Sequence, residues 1–349
     1  MKKIFLAMLL LVTFILSGCN TQAAGNQKKD SDLKIVMLNV GHGDAILIQT
    51  KEQTILIDTG KLDEQVRFVN ELEKFSVTKI DKLILTHPHS DHIGNARALI
   101  NPNEKQLAEN PYLGKISVGE VYDNGVPYTS SFYRNYMKAV NAKGINRQSL
   151  KVGDTLDFGG DVKFKVLFPT EEFVSEMKNL QADKSDDGNK ENDEEAKTDR
   201  TYRMNNSSIV GKLTYKNFSM MLTGDCERES EAKILASNNV ADLKCDVLKS
   251  GHHGRRSSST KKFVAAVNPS YVLISAGNKV EENDPKGSPH AKPLLTYMEQ
   301  GVAEKNIFCT QWNGSIIITS DGKNFSVQPE VKKDWIKDWI AKKQEAKVI

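Results

Sequence analysis

Four metal-competent side chains fall within six residues in the run His87-Pro88-His89-Ser90-Asp91-His92. The run directly follows the apolar segment Lys82-Leu-Ile-Leu-Thr86. A strand that delivers such a cluster at its end leaves few folds open. His87 and His89 are two residues apart, so at a strand end they point the same way. Asp91 and His92 then turn into Ile93-Gly94-Asn95-Ala96, which reads as a helix start. One pair can hold one divalent ion and the next pair a second beside it, the outline of a binuclear hydrolytic centre. The chain has seven His in 349 residues, and three of them are here. Histidine and carboxylate at this density favour zinc, manganese or iron over calcium or magnesium.

The N-terminus reads as an export signal. Met1-Lys2-Lys3 precedes an apolar run of 13 residues from Ile4 to Leu16. That is short for a bilayer span, which takes about 20 residues, and suits a signal peptide. Leu16-Ser17-Gly18-Cys19 resembles the lipobox of bacterial lipoproteins. The resemblance implies cleavage after residue 18, lipid attachment to Cys19, and a protein held by that lipid on the outer face of the cell membrane. Residues 19–32 are small and polar, a flexible tether. Removing residues 1–18 takes away two Lys and no acid, so the net charge falls from +3 to +1. A near-neutral domain offers no global argument for nucleic-acid binding. Cys226, Cys245 and Cys309 are odd in number and lack CxxC spacing, so they read as buried thiols rather than a disulfide framework.

About 300 residues remain, enough for one large α/β domain, taken as 33–328. Leu33–Val40, Ala45–Ile48 and Thr54–Ile57 read as strands, 63–75 as an amphipathic helix, and Lys82–Thr86 as the strand before the cluster. Residues 102–160 read as loop-rich, with one helix near Ser131–Lys143. The run 179–200 is charged and has no aromatic residue, which reads as a mobile insertion. A second alternation of strands and helices follows. The two halves echo each other without sequence repetition, which points to a four-layer αβ/βα sandwich. Residues 329–349 form a charged terminal helix with Trp335, Ile336, Trp339 and Ile340 at helical spacing.

These motifs, in this order, resemble the metallo-β-lactamase superfamily over roughly Leu33 to Gln328. His87-Pro-His89-Ser-Asp91-His92 matches its HxHxDH motif, Asp58 its preceding structural Asp, Asp225 in Met-Leu-Thr-Gly-Asp its bridging carboxylate, and His252-His253-Gly254 its last histidine motif. Gly41-His42-Gly43-Asp44-Ala45, Asn205-Asn206-Ser207-Ser208, Ser288-Pro289-His290 and Asn313-Gly314-Ser315 resemble the soluble hydrolase domain of ComEC-type DNA-uptake proteins. The run from His87 to Asn95 also resembles the pneumococcal phosphorylcholine esterase. The resemblance implies two divalent ions, zinc or manganese. It implies His87, His89, Asp91, His92, Asp225 and one of His252 or His253 as ligands, with His252 favoured as the first after its strand. Asp58 would support the site, and His253 or Lys249 would touch substrate. No His lies between Ile93 and Gly251, where lactamases, glyoxalases and lactonases carry another ligand, so the resemblance favours phosphodiester chemistry.

The mechanism expected from this resemblance is attack on phosphorus by a water that the two cations acidify, with Asp91 and Asp225 in the centre. His290 is the candidate proton donor to the leaving oxygen. Arg255-Arg256-Ser257-Ser258-Ser259 is a candidate phosphate contact. Three functions compete: a nuclease acting on DNA outside the cell, a phosphodiesterase of teichoic-acid or phospholipid head groups, and a non-catalytic lipoprotein.

Overall fold

The computed structural model describes residues 32–182, 203–277 and 287–346. The expected signal peptide, Cys19, the tether up to residue 31 and residues 183–200 of the expected insertion lie outside these. Among the described residues two sheets face each other. One runs in the order β15 (Phe325–Pro329), β14 (Ile316–Ser320), β1 (Leu33–Met37), β2 (Ile46–Thr50), β3 (Thr54–Ile57), β4 (Lys79–Leu85), β5 (Ser117–Asp123), β6 (Arg147–Ser149). The other runs β13 (Ile307–Cys309), β12 (Tyr271–Ile274), β11 (Val247–Lys249), β10 (Phe218–Leu222), β9 (Val210–Tyr215), β8 (Val162–Phe168), β7 (Thr155–Asp157).

Strand periodicity builds three cores. In β1, Ile35 belongs to the core between the sheets with Ile48, Leu213 and Met220, while its neighbour Val36 belongs to an outer core with Leu47, Phe68 and Leu72. In β10, Met220 faces inward and Met221 outward, toward Ile234, Phe263 and Leu294. Successive side chains of a strand leave on opposite faces. Both faces of both sheets are therefore apolar, and each outer face is covered by helices. The layers are αβ/βα, as the alternation in the sequence implies.

In each sheet a parallel block (β3 to β6, and β10 to β13) sends its carboxyl ends the same way. Crevices outside the carboxyl ends of parallel strands are where α/β sheets place ligands.

Three readings are corrected. Residues 102–160 contain three strands, of which β5 is seven residues long. Its sequence, Ser-Val-Gly-Glu-Val-Tyr-Asp, mixes Gly and acids with few apolar residues, and only its last three positions are buried. Pairing with β4 on one side and β6 on the other makes it a strand despite this pattern. Asn179–Ala182, taken with the insertion, closes the helix Glu171–Ala182. Residue 329 ends β15 rather than opening a terminal helix, which spans Ile336–Glu345.

That helix is bound to the domain. Trp335, Ile336 and Trp339 are buried, Trp312 stacks on Trp335 with ring centroids 4.2 Å apart, and Trp339 Nε1 donates to Pro289 O at 2.7 Å. Lys343 is fully buried and donates to Gly287 O at 2.7 Å. Trp339→Ala removes a buried indole and a hydrogen bond, and is expected to destabilise the fold by about 3–5 kcal/mol. Denaturant unfolding monitored by circular dichroism measures this, and a loss below about 1 kcal/mol would show that the helix is only loosely applied.

Candidate metal centre

The candidate ligands leave the carboxyl ends of four strands. Asp58 follows β3, His87 to His92 follow β4, Asp225 follows β10, and His252 and His253 follow β11. The turn Gly41–Asp44, which joins β1 to β2 at the same end of the sheet, packs onto them. Gly43 has φ +121°, and a Cβ there would stand 2.3 Å from Asp91 O, so only Gly lets the turn come this close. Asp44 N donates to Asp91 O at 3.1 Å, and Ser275 Oγ, just after β12, donates to Gly43 O at 2.5 Å.

Asp225 is the hub. Its Oδ2 lies 3.2 Å from His92 Nε2, 3.3 Å from His253 Nε2, 3.7 Å from His252 Nε2 and 4.0 Å from His87 Nε2. His253 Nε2 is also 3.3 Å from Asp91 Oδ2. His87 Nε2 meets His89 Nδ1 at 3.0 Å, which puts His89 beside this group. Asp91, His92, Asp225 and His253 thus converge as four donors able to share one cation.

Each ring is held by its other nitrogen. His92 Nδ1 faces Asp58 Oδ2 at 2.8 Å, and Asp58 also accepts from Thr86 N and Thr86 Oγ1, both at 2.7 Å. His253 Nδ1 lies 2.9 Å from Ser275 O. His252 Nδ1 lies 2.6 Å from Glu227 Oε1. His87 Nδ1 lies 3.3 Å from Ser208 Oγ, which also accepts from Asp225 N at 3.0 Å. Partners of this kind fix ring orientation and raise ligand basicity at metal sites.

The donor set fits a divalent cation. His92 Nε2 and His253 Nε2 are buried with only the Asp225 and Asp91 carboxylates beside them, and Asp225 Oδ1 is buried without a hydrogen-bond partner, an arrangement that costs free energy unless a proton or a cation sits between them. The electrostatics agree. Burial works against charge on His92, yet the carboxylates of Asp225, Asp58 and Asp91 raise its pKa well above the usual imidazole range. Burial likewise opposes charge on His253, and Asp225 and Asp91 push it up to about 9. Burial would raise Asp225, but His253, His92 and His252 hold it well below the carboxylate range. The pocket is built to stabilise positive charge among carboxylates.

The structure reassigns three residues. His253, not His252, joins Asp91, His92 and Asp225, because both residues take positive φ (44° and 52°) and the tight turn sends the second ring inward. His252 is part-exposed and approaches Asp225 from beside Glu227 and Asn205 Nδ2, the latter 3.4 Å from its Nε2. His253→Gln is therefore expected to lower bound metal by at least about tenfold, and His252→Gln by less. Equilibrium dialysis with metal analysis measures both, and equal losses would refute the ranking.

Lys249 does not face substrate. It is fully buried, pairs with buried Asp44, and donates to Gly224 O at 2.7 Å. Lys249→Met leaves the buried Asp44 carboxylate with only His253 Nδ1 at 3.5 Å and His92 Nδ1 at 3.9 Å near it, and is expected to cost about 3–5 kcal/mol. An unchanged thermal midpoint would refute this.

His290 caps the helix Ala291–Glu299, and its backbone N donates to Gly254 O at 2.8 Å, which places it against the His252–His253 turn. Burial lowers its pKa to about 4, with Lys343 and Arg255 adding to the effect. Burial thus favours the neutral ring, which weighs against an imidazolium acid at this position. His42 is 3.5 Å from Asp91 Oδ2, and burial lowers its pKa to about 3.

Asp44, Ser208 and Glu227 are the site residues that sequence reasoning missed as functional groups. Glu227 stands two residues after Asp225, and Asp44 closes the Gly-His-Gly-Asp turn, so both had a positional signal. Among the described residues, Cys226, Cys245 and Cys309 are buried and free.

The Lactamase_B family profile, described as Metallo-beta-lactamase superfamily, matches residues 38–277. The "ComE operon protein 3" of Bacillus subtilis (strain 168) is 28% identical over 320 residues, covering 86% of this chain and 35% of that protein. "Competence protein ComA" of Neisseria gonorrhoeae is 26% identical over 249 residues, covering 71% of this chain and 28% of that protein. The chain spans about a third of the length of these relatives. A solved structure, "Crystal Structure of a New Diphosphatase from the PhnP Family", is 11% identical with a TM-score of 0.36, covering 69% of this chain and 85% of that one.

Proposed function

The chain belongs to the metallo-beta-lactamase superfamily, and from that membership we propose that it is a metal-dependent phosphodiesterase acting on DNA. The observation that carries the hydrolase reading is the convergence of the buried imidazole nitrogens of His92 and His253 on the Asp225 carboxylate. The choice of DNA is supported by the motifs that resemble ComEC-type DNA-uptake proteins and by the relative named for competence. In this reading Asp91, His92, Asp225 and His253 would hold one cation, and His87, His89 and Asp225 would hold a second, with His252 beside it. Bound divalent cations acidify water and neutralise charge on phosphoryl oxygens.

The chain's own residues do the rest. Asp58 and Ser275 O fix the tautomers of His92 and His253, so that each presents Nε2 to the centre. Asp44 and Lys249 close the charge balance behind it. Arg255 has a buried Nε without a hydrogen-bond partner and acts electrostatically on both His42 and His290, so it is placed to bind a non-bridging phosphate oxygen. His290, neutral, would donate a hydrogen bond to the leaving oxygen rather than a proton from an imidazolium. Cys19 would hold the protein by lipid on the outer face of the membrane.

The purified protein with manganese or zinc, assayed on single- and double-stranded DNA, bis-nitrophenyl phosphate and nitrophenyl phosphorylcholine, tests the reading. Metal-dependent DNA turnover well above that of an Asp91→Ala control is expected. No turnover of any substrate above that control would end the phosphodiesterase reading. Faster cleavage of the phosphorylcholine ester than of DNA would shift it to cell-envelope head groups.

A further inference from the structure

The loop after the His252–His253 turn opens into a groove of about 580 Å³ lined by Arg228, Arg256, Lys261 and Lys292, with Ser257 and Glu299 among its walls. All four cations are exposed. Arg228, Arg256 and Lys292 have no carboxylate partner among the described residues, while Lys261 approaches Glu299 at 3.4 Å. The concentration is local, since the chain as a whole sets 48 Lys and Arg against 45 Asp and Glu. The groove is joined to the metal centre by covalent and hydrogen-bonded neighbours. Ser257 O accepts from Arg228 N at 3.0 Å, and Ser257 Oγ lies 3.3 Å from His252 Nδ1. Arg256 reaches the centre electrostatically as well, through its effect on His290.

A cleft with one sign of charge focuses field and raises the local concentration of the opposite charge. The cations come from three separated segments, at 228, 256–261 and 292, so their meeting is a product of the fold and not of a charged run. Ser257 and Thr260 add hydroxyls between them, while those of Ser258 and Ser259 are buried and already bonded to Gly251 O and Tyr297. A small diester in the metal centre has no second phosphate to place here, whereas a strand does.

We infer that this groove is a subsite for the phosphates of a single DNA strand flanking the bond to be cut, and that it selects polymer over small phosphodiesters. The inference rests on the phosphodiesterase reading for the location of the cut bond. Its binding test does not depend on turnover.

Binding of a fluorescent single-stranded oligonucleotide is measured by anisotropy across a salt series, with chelator present to stop cleavage. Wild type is compared with an R228Q/K261Q/K292Q variant and with a K305Q/K332Q/K333Q variant. The latter three lysines line another groove, at the β13 and β15 edges of the two sheets. Each phosphate contact contributes about 0.7 to the slope of log affinity against log salt for single strands. The first variant should lose about 2 from that slope and at least about tenfold in affinity, and the second should match wild type. Equal binding by wild type and the first variant, or equal loss in both variants, overturns the inference. Stronger competition by a glycerol-phosphate polymer than by DNA overturns its choice of ligand. Separate turnover of bis-nitrophenyl phosphate shows whether the hydrolase reading stands. If that turnover is absent and the salt slope still falls as expected, the groove survives as a DNA site and the enzymatic reading fails.

Discussion

Asp225→Ala is expected to lower metal-dependent phosphodiester turnover by at least about a thousandfold, or about 4 kcal/mol of barrier. The size follows from position. One carboxylate is approached by His87, His92, His252 and His253 within 4.0 Å, so its loss affects every ligand at once and removes the only group shared by both expected cations. Ala also leaves several imidazoles facing one another in a buried space, where like charge is costly. The variant should therefore hold little metal at pH 7 and keep its fold, because the αβ/βα layers do not depend on this side chain. Metal analysis, turnover and circular dichroism on one sample separate these outcomes. Full metal content with turnover within tenfold of wild type would show that Asp225 is a spectator.

The second large effect is expected at Asp58, and it is one of stability as much as activity. This residue is buried, has φ +61°, and receives Thr86 N, Thr86 Oγ1 and His92 Nδ1. Burial raises its pKa, against the pull of His92. Asp58→Ala strands three donors and puts Ala in a left-handed conformation, which together should cost about 3–5 kcal/mol. Asp58→Asn tolerates the backbone and can still accept from Thr86, so it should fold. It presents a neutral amide to His92 and should weaken metal binding by about 10–100-fold. A difference in stability between the Ala and Asn variants, with metal binding impaired in both, is the expected signature. Equal stability of the two would refute the backbone argument, and wild-type metal affinity in the Asn variant would refute the orienting role.

Much of the site could be read from the sequence because it is local. His87, His89, Asp91 and His92 lie within six residues, and a strand with a clear apolar pattern delivers them. The layered fold was legible for a similar reason, since strands buried on both faces read as continuous apolar runs. What could not be read depends on tertiary geometry. The choice of His253 over His252 turns on two consecutive residues at positive φ, which sequence order does not encode. Glu227 becomes a histidine partner only when the segment after β10 meets the turn after β11. Lys249 looks like a substrate contact in sequence, but the buried carboxylate of Asp44, some two hundred residues away, fixes it inside the protein. The strand β5 is defined by its neighbours rather than by its own residues.

The C-terminal helix has a consequence for synthesis. Trp339 and Lys343 grip the backbone of Pro289 and Gly287, and the loop so gripped presents His290 against the histidine turn at Gly254. Every candidate ligand, up to His253, emerges from the ribosome before this helix does. The loop that carries His290 is therefore clasped only after residues 336–345 have been made, later in synthesis than any candidate ligand.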